Sequence, residues 1–124
     1  MAAKGARQGL GRLGERLAAQ HLEERGYRIY ERNYRCPQGE IDLVAGEGGQ
    51  LVFVVVRSRR GEAYGTPEES VGPAKQRKLL EVAQAYLSER GCGDVAWRVD
   101  VVGVQFSPKG RFKGIRLTRN AVQG

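Results

Sequence analysis

The chain has 124 residues, 40% of them apolar and 28% charged, which is enough for one core in one ordinary domain. Its 21 Lys and Arg outweigh 14 Asp and Glu for a net charge of +7, and most of the cations are arginine, whose planar fork matches phosphate oxygens. No apolar run approaches the roughly 20 residues that span a bilayer, and Met1–Arg16 holds no signal-peptide core, so neither membrane spanning nor secretion is expected.

Leu10, Leu13, Leu17, Ala18 and Leu22 recur at helical spacing and Gly26 follows as a cap, which predicts an amphipathic helix from about Leu10 to Arg25. His21 falls within that stripe and is expected to pack in the core. Tyr27–Tyr34 alternates and reads as a strand, closed by the turn Cys36-Pro37-Gln38-Gly39. Glu40–Ala45 is a second strand and Gly46–Gly49 its hairpin connection. Leu51–Val56 is an unbroken apolar run rich in valine, the pattern of a strand buried on both faces. Arg57–Gly72, with its glycines and Pro67, reads as a long loop. Pro73 opens a second helix to about Arg90, with Leu79, Val82, Ala83, Tyr86 and Leu87 on one face. Trp97–Val104 is a strand, Pro108-Lys109-Gly110 a turn, and Gly114–Leu117 a last short strand. The order α-β-β-β-α-β-β predicts a single α/β domain over residues 1–124, with a mixed sheet centred on Leu51–Val56 and flanked by helices. Cys36 and Cys92 fit no CxxC or Cys/His metal pattern and read as free thiols in a reducing, cytoplasmic setting.

Glu40 and Asp42 lie two apart on one strand, so strict alternation gives them one face. Two carboxylates so placed can hold Mg²⁺, or line an exposed edge and pair with arginines. On the next strand Phe53, Val55, Arg57 and Arg59 share a face, and hairpin pairing sets Arg57 close to Asp42. There it can meet a phosphate or satisfy Asp42 as an ion pair. Arg57, Arg59 and Arg60 lead towards Tyr64, which sets a base-stacking ring beside phosphate-binding charge. Lys75 stands just inside the second helix, where it can meet an anion favoured by the backbone N–H groups or be a solvated cation. Arg25, Arg28, Arg32 and Arg35 form a second cluster, partly alternating with Tyr27, Tyr30 and Tyr34, as a solvated strand edge also would. Asp100, between valines, reads as a structural carboxylate buried against an arginine.

Taken in order, Gly14-Glu15, Gly26-Tyr27, Arg32-Asn33-Tyr34-Arg35, Gly39-Glu40-Ile41-Asp42-Leu43-Val44, Leu51-Val52-Phe53-Val54, Lys75-Gln76-Arg77 and Val99-Asp100-Val101-Val102 resemble the YraN-type family of uncharacterised bacterial proteins. That family is similar in fold to restriction endonucleases and Holliday-junction resolvases, which use a PD-(D/E)xK site. The resemblance implies a nucleic-acid partner, DNA, engaged through Arg57, Arg59, Arg60, Tyr64, Lys75 and Arg77. It also implies a homodimer, by the resolvase analogy alone. Asp42 matches the metal-binding Asp and Glu15 the helical Glu, with Glu40 beside them as a further acid. The match departs on the third strand, where the family pattern FVEVK is replaced by Phe53-Val54-Val55-Val56-Arg57. Valine ligates no metal, and arginine stays protonated and cannot act as a base.

Three readings follow. The first is a nucleic-acid-binding protein with a degenerate catalytic centre of Asp42, Glu40, Glu15 and Arg57, with Mg²⁺ at Asp42 and Glu40 weak or absent and Arg57 neutralising Asp42. The second is an active Mg²⁺-dependent endonuclease or resolvase using Glu15, Glu40 and Asp42. The third is a non-catalytic interaction scaffold.

Overall fold

The computed structural model describes residues 2–61 and 71–122, with side chains from residue 11 onward in the first helix. The elements are α1 (Ala2–Glu24), β1 (Arg28–Cys36), β2 (Gly39–Glu47), β3 (Gln50–Arg60), α2 (Pro73–Glu89), β4 (Trp97–Phe106) and β5 (Phe112–Val122). Their order is the one expected. The strands form one five-stranded sheet in the order β1-β2-β3-β4-β5, antiparallel except for the parallel pair β3 and β4. A parallel pair needs a crossover, and α2 supplies it.

Two apolar layers sandwich the sheet. Ala18, Ala19 and Leu22 of α1 pack with Leu43, Ala45, Val52, Val54, Val102, Val104 and Phe106. On the other face Leu79, Val82, Ala83 and Tyr86 of α2 pack with Ile41, Val44, Phe53, Val55, Val99 and Val101. Alternate β3 residues thus enter opposite cores, which is why that strand has no polar side chain from Leu51 to Val56. Each such buried side chain contributes about 1.5–3 kcal/mol. Gly14 lets α1 come close to β3: a Cβ there would lie 1.9 Å from the Ser58 Oγ.

The Gly48–Gly49 turn between β2 and β3 has positive φ at both residues, +57° and +80°, as a two-residue hairpin that follows strand twist requires. The expected loop from Arg57 begins later, because Arg57–Arg60 extend β3 alongside Gly103–Phe106 of β4. β5 is likewise longer than Gly114–Leu117. His21 is only half-buried. Its Nε2 accepts a hydrogen bond from Arg25 Nε at 2.8 Å, and burial and that cation hold its pKa below the usual value.

Asp100 is fully buried, as its apolar flanks suggested, and it is heavily bonded. It accepts from Arg98 Nε (3.0 Å), Tyr27 Oη (2.9 Å) and the Asn120 backbone N–H (2.8 Å). Arg98 also donates to Glu47 Oε1 at 2.8 Å and to Gln50. These residues tie the starts of β3 and β4 to the ends of β2 and β5. Replacing Asp100 with Ala leaves the buried Arg98 guanidinium with Glu47 as its remaining anion and strips Tyr27 Oη and the Asn120 N–H of their acceptor, so urea unfolding is expected to show a loss of about 3–5 kcal/mol. A loss under about 1 kcal/mol would mean that the network does not hold this end together.

Candidate functional site

The site grows from an irregularity shared by two strands. Arg32 of β1 faces Leu43 of β2, and Tyr34 faces Ile41. Leu43 packs in the α1-side core whereas Ile41 and Tyr34 pack in the α2-side core. Residues two apart on a regular strand share a face. Here they do not, so Asn33 and Asp42 each stand as an extra residue between the two rungs. Asn33 adopts φ +56°, a conformation that Asn tolerates better than most residues. Asp42, set between the two cores, turns its carboxylate to the next strand and accepts a hydrogen bond from the Val56 backbone N–H at 2.7 Å.

Around this carboxylate the expected residues converge in part. Glu15 on α1 is near enough that Asp42 and Glu40 both repel its charge, and its pKa is raised by burial first and then by Asp42. A hydrogen bond from the Asn33 side chain opposes the rise. The pKa of Asp42 is also raised, mainly by burial and then by Glu40, against the pull of the Val56 N–H, Arg57 and Lys75. Lys75, in the first turn of α2, therefore belongs to the site. Strict alternation from Glu40 fails at Asp42, and Glu40 is an exposed residue that pairs with Arg35 Nε at 3.2 Å. So exposed an ion pair adds little stability.

Arg57 departs from the expected pairing. Among the described residues no ion pair or hydrogen bond joins it to Asp42, and its Nε is buried without a hydrogen-bond partner. It acts on Asp42 through its field, which pulls the carboxyl pKa down against the effect of burial. Val55 is 3% exposed and packs in the α2-side core with Phe53 and Leu79. Arg59 follows Arg57 on its side of the strand by alternation. Arg60 reaches away towards the turn at Gly110, where a Cβ would lie 3.0 Å from its guanidinium. Arg77 is exposed on α2. Tyr64 lies outside the described residues.

The chain is matched over residues 14–104 by the family model described as uncharacterised protein family UPF0102. Those residues run from the Gly14 contact to Val104 within β4, enclosing Glu15, Asn33, Glu40, Asp42, Val55, Arg57 and Lys75. The chain belongs to the UPF0102 family. The UPF0102 protein of Symbiobacterium thermophilum is 50% identical over 112 residues, covering 90% of this chain and 94% of that one. That of Moorella thermoacetica is 45% identical over 111 residues, covering 90% and 92%. That of Anaeromyxobacter dehalogenans is 52% identical over 100 residues, covering 81% and 75%. UPF0102 is the YraN-type family that the sequence resembles.

A PD-(D/E)xK site would place Mg²⁺ on Asp42 and on an acid at position 55. The residues present do not fit that ion. Valine fills the second ligand position, one Asp42 oxygen is engaged, and among the described residues no group of three or more His, Cys, Asp or Glu could hold a metal. Among the described residues no helix is long and apolar enough to cross a membrane. The sequence alone gives Asn33 no role, because a break in strand alternation leaves no local pattern to read.

Burial and like charge raise the folded pKa of Asp42, so its ionisation opposes folding. Any stability gained from the neutral form is present below the usual carboxylate pKa and is lost as pH rises through the higher folded value. Asp42→Asn keeps an acceptor for the Val56 N–H while removing the charge. Denaturant unfolding at neutral pH is therefore expected to show the variant more stable, on the order of 1 kcal/mol, the scale of single charge-optimising changes. The gain should vanish near pH 3. A variant less stable than the parent at neutral pH would contradict this electrostatic account.

Proposed function

We propose that this protein binds nucleic acid, with DNA as its partner, through a nuclease-like edge whose catalytic centre is degenerate. One observation carries the reading. Asp42 lies within electrostatic reach of Glu15 and Glu40, yet its neighbours on β3 are a core valine and an arginine. Arg57 and Lys75 place positive charge at the same edge, on a chain of net charge +7. Cations at that position attract a phosphate. A hydrolase that activates water on a metal needs the second carboxylate and a proton acceptor, and neither Val55 nor Arg57 provides one. In this reading Mg²⁺ binds weakly at Asp42 and cleavage is slow or absent.

Binding to duplex DNA is expected to fall steeply with salt, each neutralised phosphate adding roughly −0.9 to the slope of log K against log salt. Replacing Arg57, Arg59 and Lys75 together with Ala should weaken binding and flatten that slope by about 0.9 for every phosphate no longer neutralised. No detectable binding at low salt would instead favour the interaction scaffold.

The missing acid gives a second test. Val55→Glu with Arg57→Lys is expected to raise Mg²⁺ affinity measured by calorimetry, with Val55→Glu alone achieving less. Robust Mg²⁺-dependent cleavage by the unsubstituted protein, abolished by Asp42→Ala, would replace this reading with that of an active nuclease.

A further inference from the structure

We propose that Tyr30 is a stacking seat for an unpaired nucleobase, so that the strand bound along this edge is single-stranded or locally unpaired. This rests on the nucleic-acid reading above and adds to it the form of the strand. The three tyrosines interleaved with arginines along β1 have different surroundings. Tyr27 is buried against Asp100, and Tyr34 is buried with its hydroxyl donating to Glu89 Oε2 at 2.6 Å. Tyr30 alone of the three is open, 54% exposed.

Its exposure has a backbone cause. Arg28 and Ile29 pair with Gly46 and Ala45, whereas Glu31 pairs with Val44, so Tyr30 is the residue left over at a β-bulge. Bulges re-aim side chains in this way and are common beside functional sites. The ring lies across Gly46, where a Cβ would stand 2.4 Å from the Tyr30 hydroxyl oxygen and 2.9 Å from ring carbons. The hydroxyl end of the ring thus lies against the bare Gly46 backbone, while more than half of the residue stays open to solvent. A ring already ordered by such a seat loses little rotamer freedom when a base stacks on it.

The surroundings suit a nucleotide. Tyr30 lines an open depression together with Gly46, Gly48, Gly49 and the exposed Arg28. The one acid lining it, Glu47, is neutralised by Arg98 at 2.8 Å and Arg119 at 2.6 Å. Tyr30 stands three residues from Asn33 along β1, roughly 10 Å at about 3.3 Å per residue. That is the span of about three stacked nucleotides at roughly 3.4 Å each, so one strand can reach from Tyr30 to the Asp42 edge. Bases within an intact duplex are stacked on both faces and have none to offer the ring.

Covering Gly46 is also a packing role, and the experiment separates the two. Tyr30→Leu keeps an apolar cover over Gly46 and removes the π face. Affinities of both proteins for an oligothymidylate and for a blunt duplex of equal length are compared across a salt series. The variant is expected to bind the single strand about 5- to 150-fold more weakly, the range of one base–aromatic stack, with duplex affinity and salt slope unchanged. In the unsubstituted protein, an oligonucleotide carrying 5-iodouracil is expected to photo-crosslink to Tyr30. Single-strand affinity retained within about twofold in Tyr30→Leu, or crosslinks that map only elsewhere, would overturn the stacking role and leave the nucleic-acid reading standing. Binding of neither oligonucleotide at low salt would overturn both.

Discussion

Everything in this molecule is arranged around a strand that water never reaches along its middle. From Leu51 to Val55 every β3 side chain is buried, alternately against the α1 layer and the α2 layer. A charge in that stretch would need a partner inside an apolar core, where an uncompensated ion is very costly. Polar chemistry is therefore driven to the two ends of the strand. At one end Gln50 joins the Arg98–Asp100 network; at the other, Val56 offers its N–H to Asp42 and Arg57 begins the charged run.

The two ends solve the same electrostatic problem in opposite ways. At the Asp100 end each buried charge meets an opposite one, and Tyr27 and the Asn120 N–H complete the acceptor's bonds. At the Asp42 end the carboxylates lie within reach of one another's charge. Burial and like charge raise the pKa of both Glu15 and Asp42, while Arg57 keeps a buried Nε without a partner among the described residues. The paired end is built for stability. The Asp42 end holds carboxylates whose pKa values burial and like charge displace, a pattern that functional sites share.

The architecture was readable because it follows from periodicity. The helical spacing of Leu13, Leu17 and Leu22, the valine run and the paired glycines at Gly48–Gly49 are local patterns, and each predicted its element. What escaped depends on neighbours in space. Nothing in Arg57–Arg60 announces a strand until β4 is beside it to pair with Gly103–Phe106. His21 fell within the apolar stripe, yet only the packed fold shows it at the margin of the helix contact. At the site, Glu15, Asp42, Val55 and Arg57 were identified through a family resemblance, whereas Lys75's closeness to Asp42 and the Val56 N–H that holds it required coordinates. The swap of faces at Asn33 was invisible because regular alternation carries no sign of where it breaks.

That swap has an evolutionary corollary. Deleting Asn33 alone, or Asp42 alone, would throw the flanking residues of one strand out of step with its partner and turn apolar side chains to the wrong layer. Deleting both together would not. Arg32 and Tyr34 would then be consecutive and face opposite layers, as Leu43 and Ile41 opposite them would, and the ladder would be regular. The shorter chain would keep its two cores and its topology, and would lose only the rung that carries Asp42. An irregularity that the fold can do without, at the one place where the carboxylates meet, marks the difference between a scaffold and a tool.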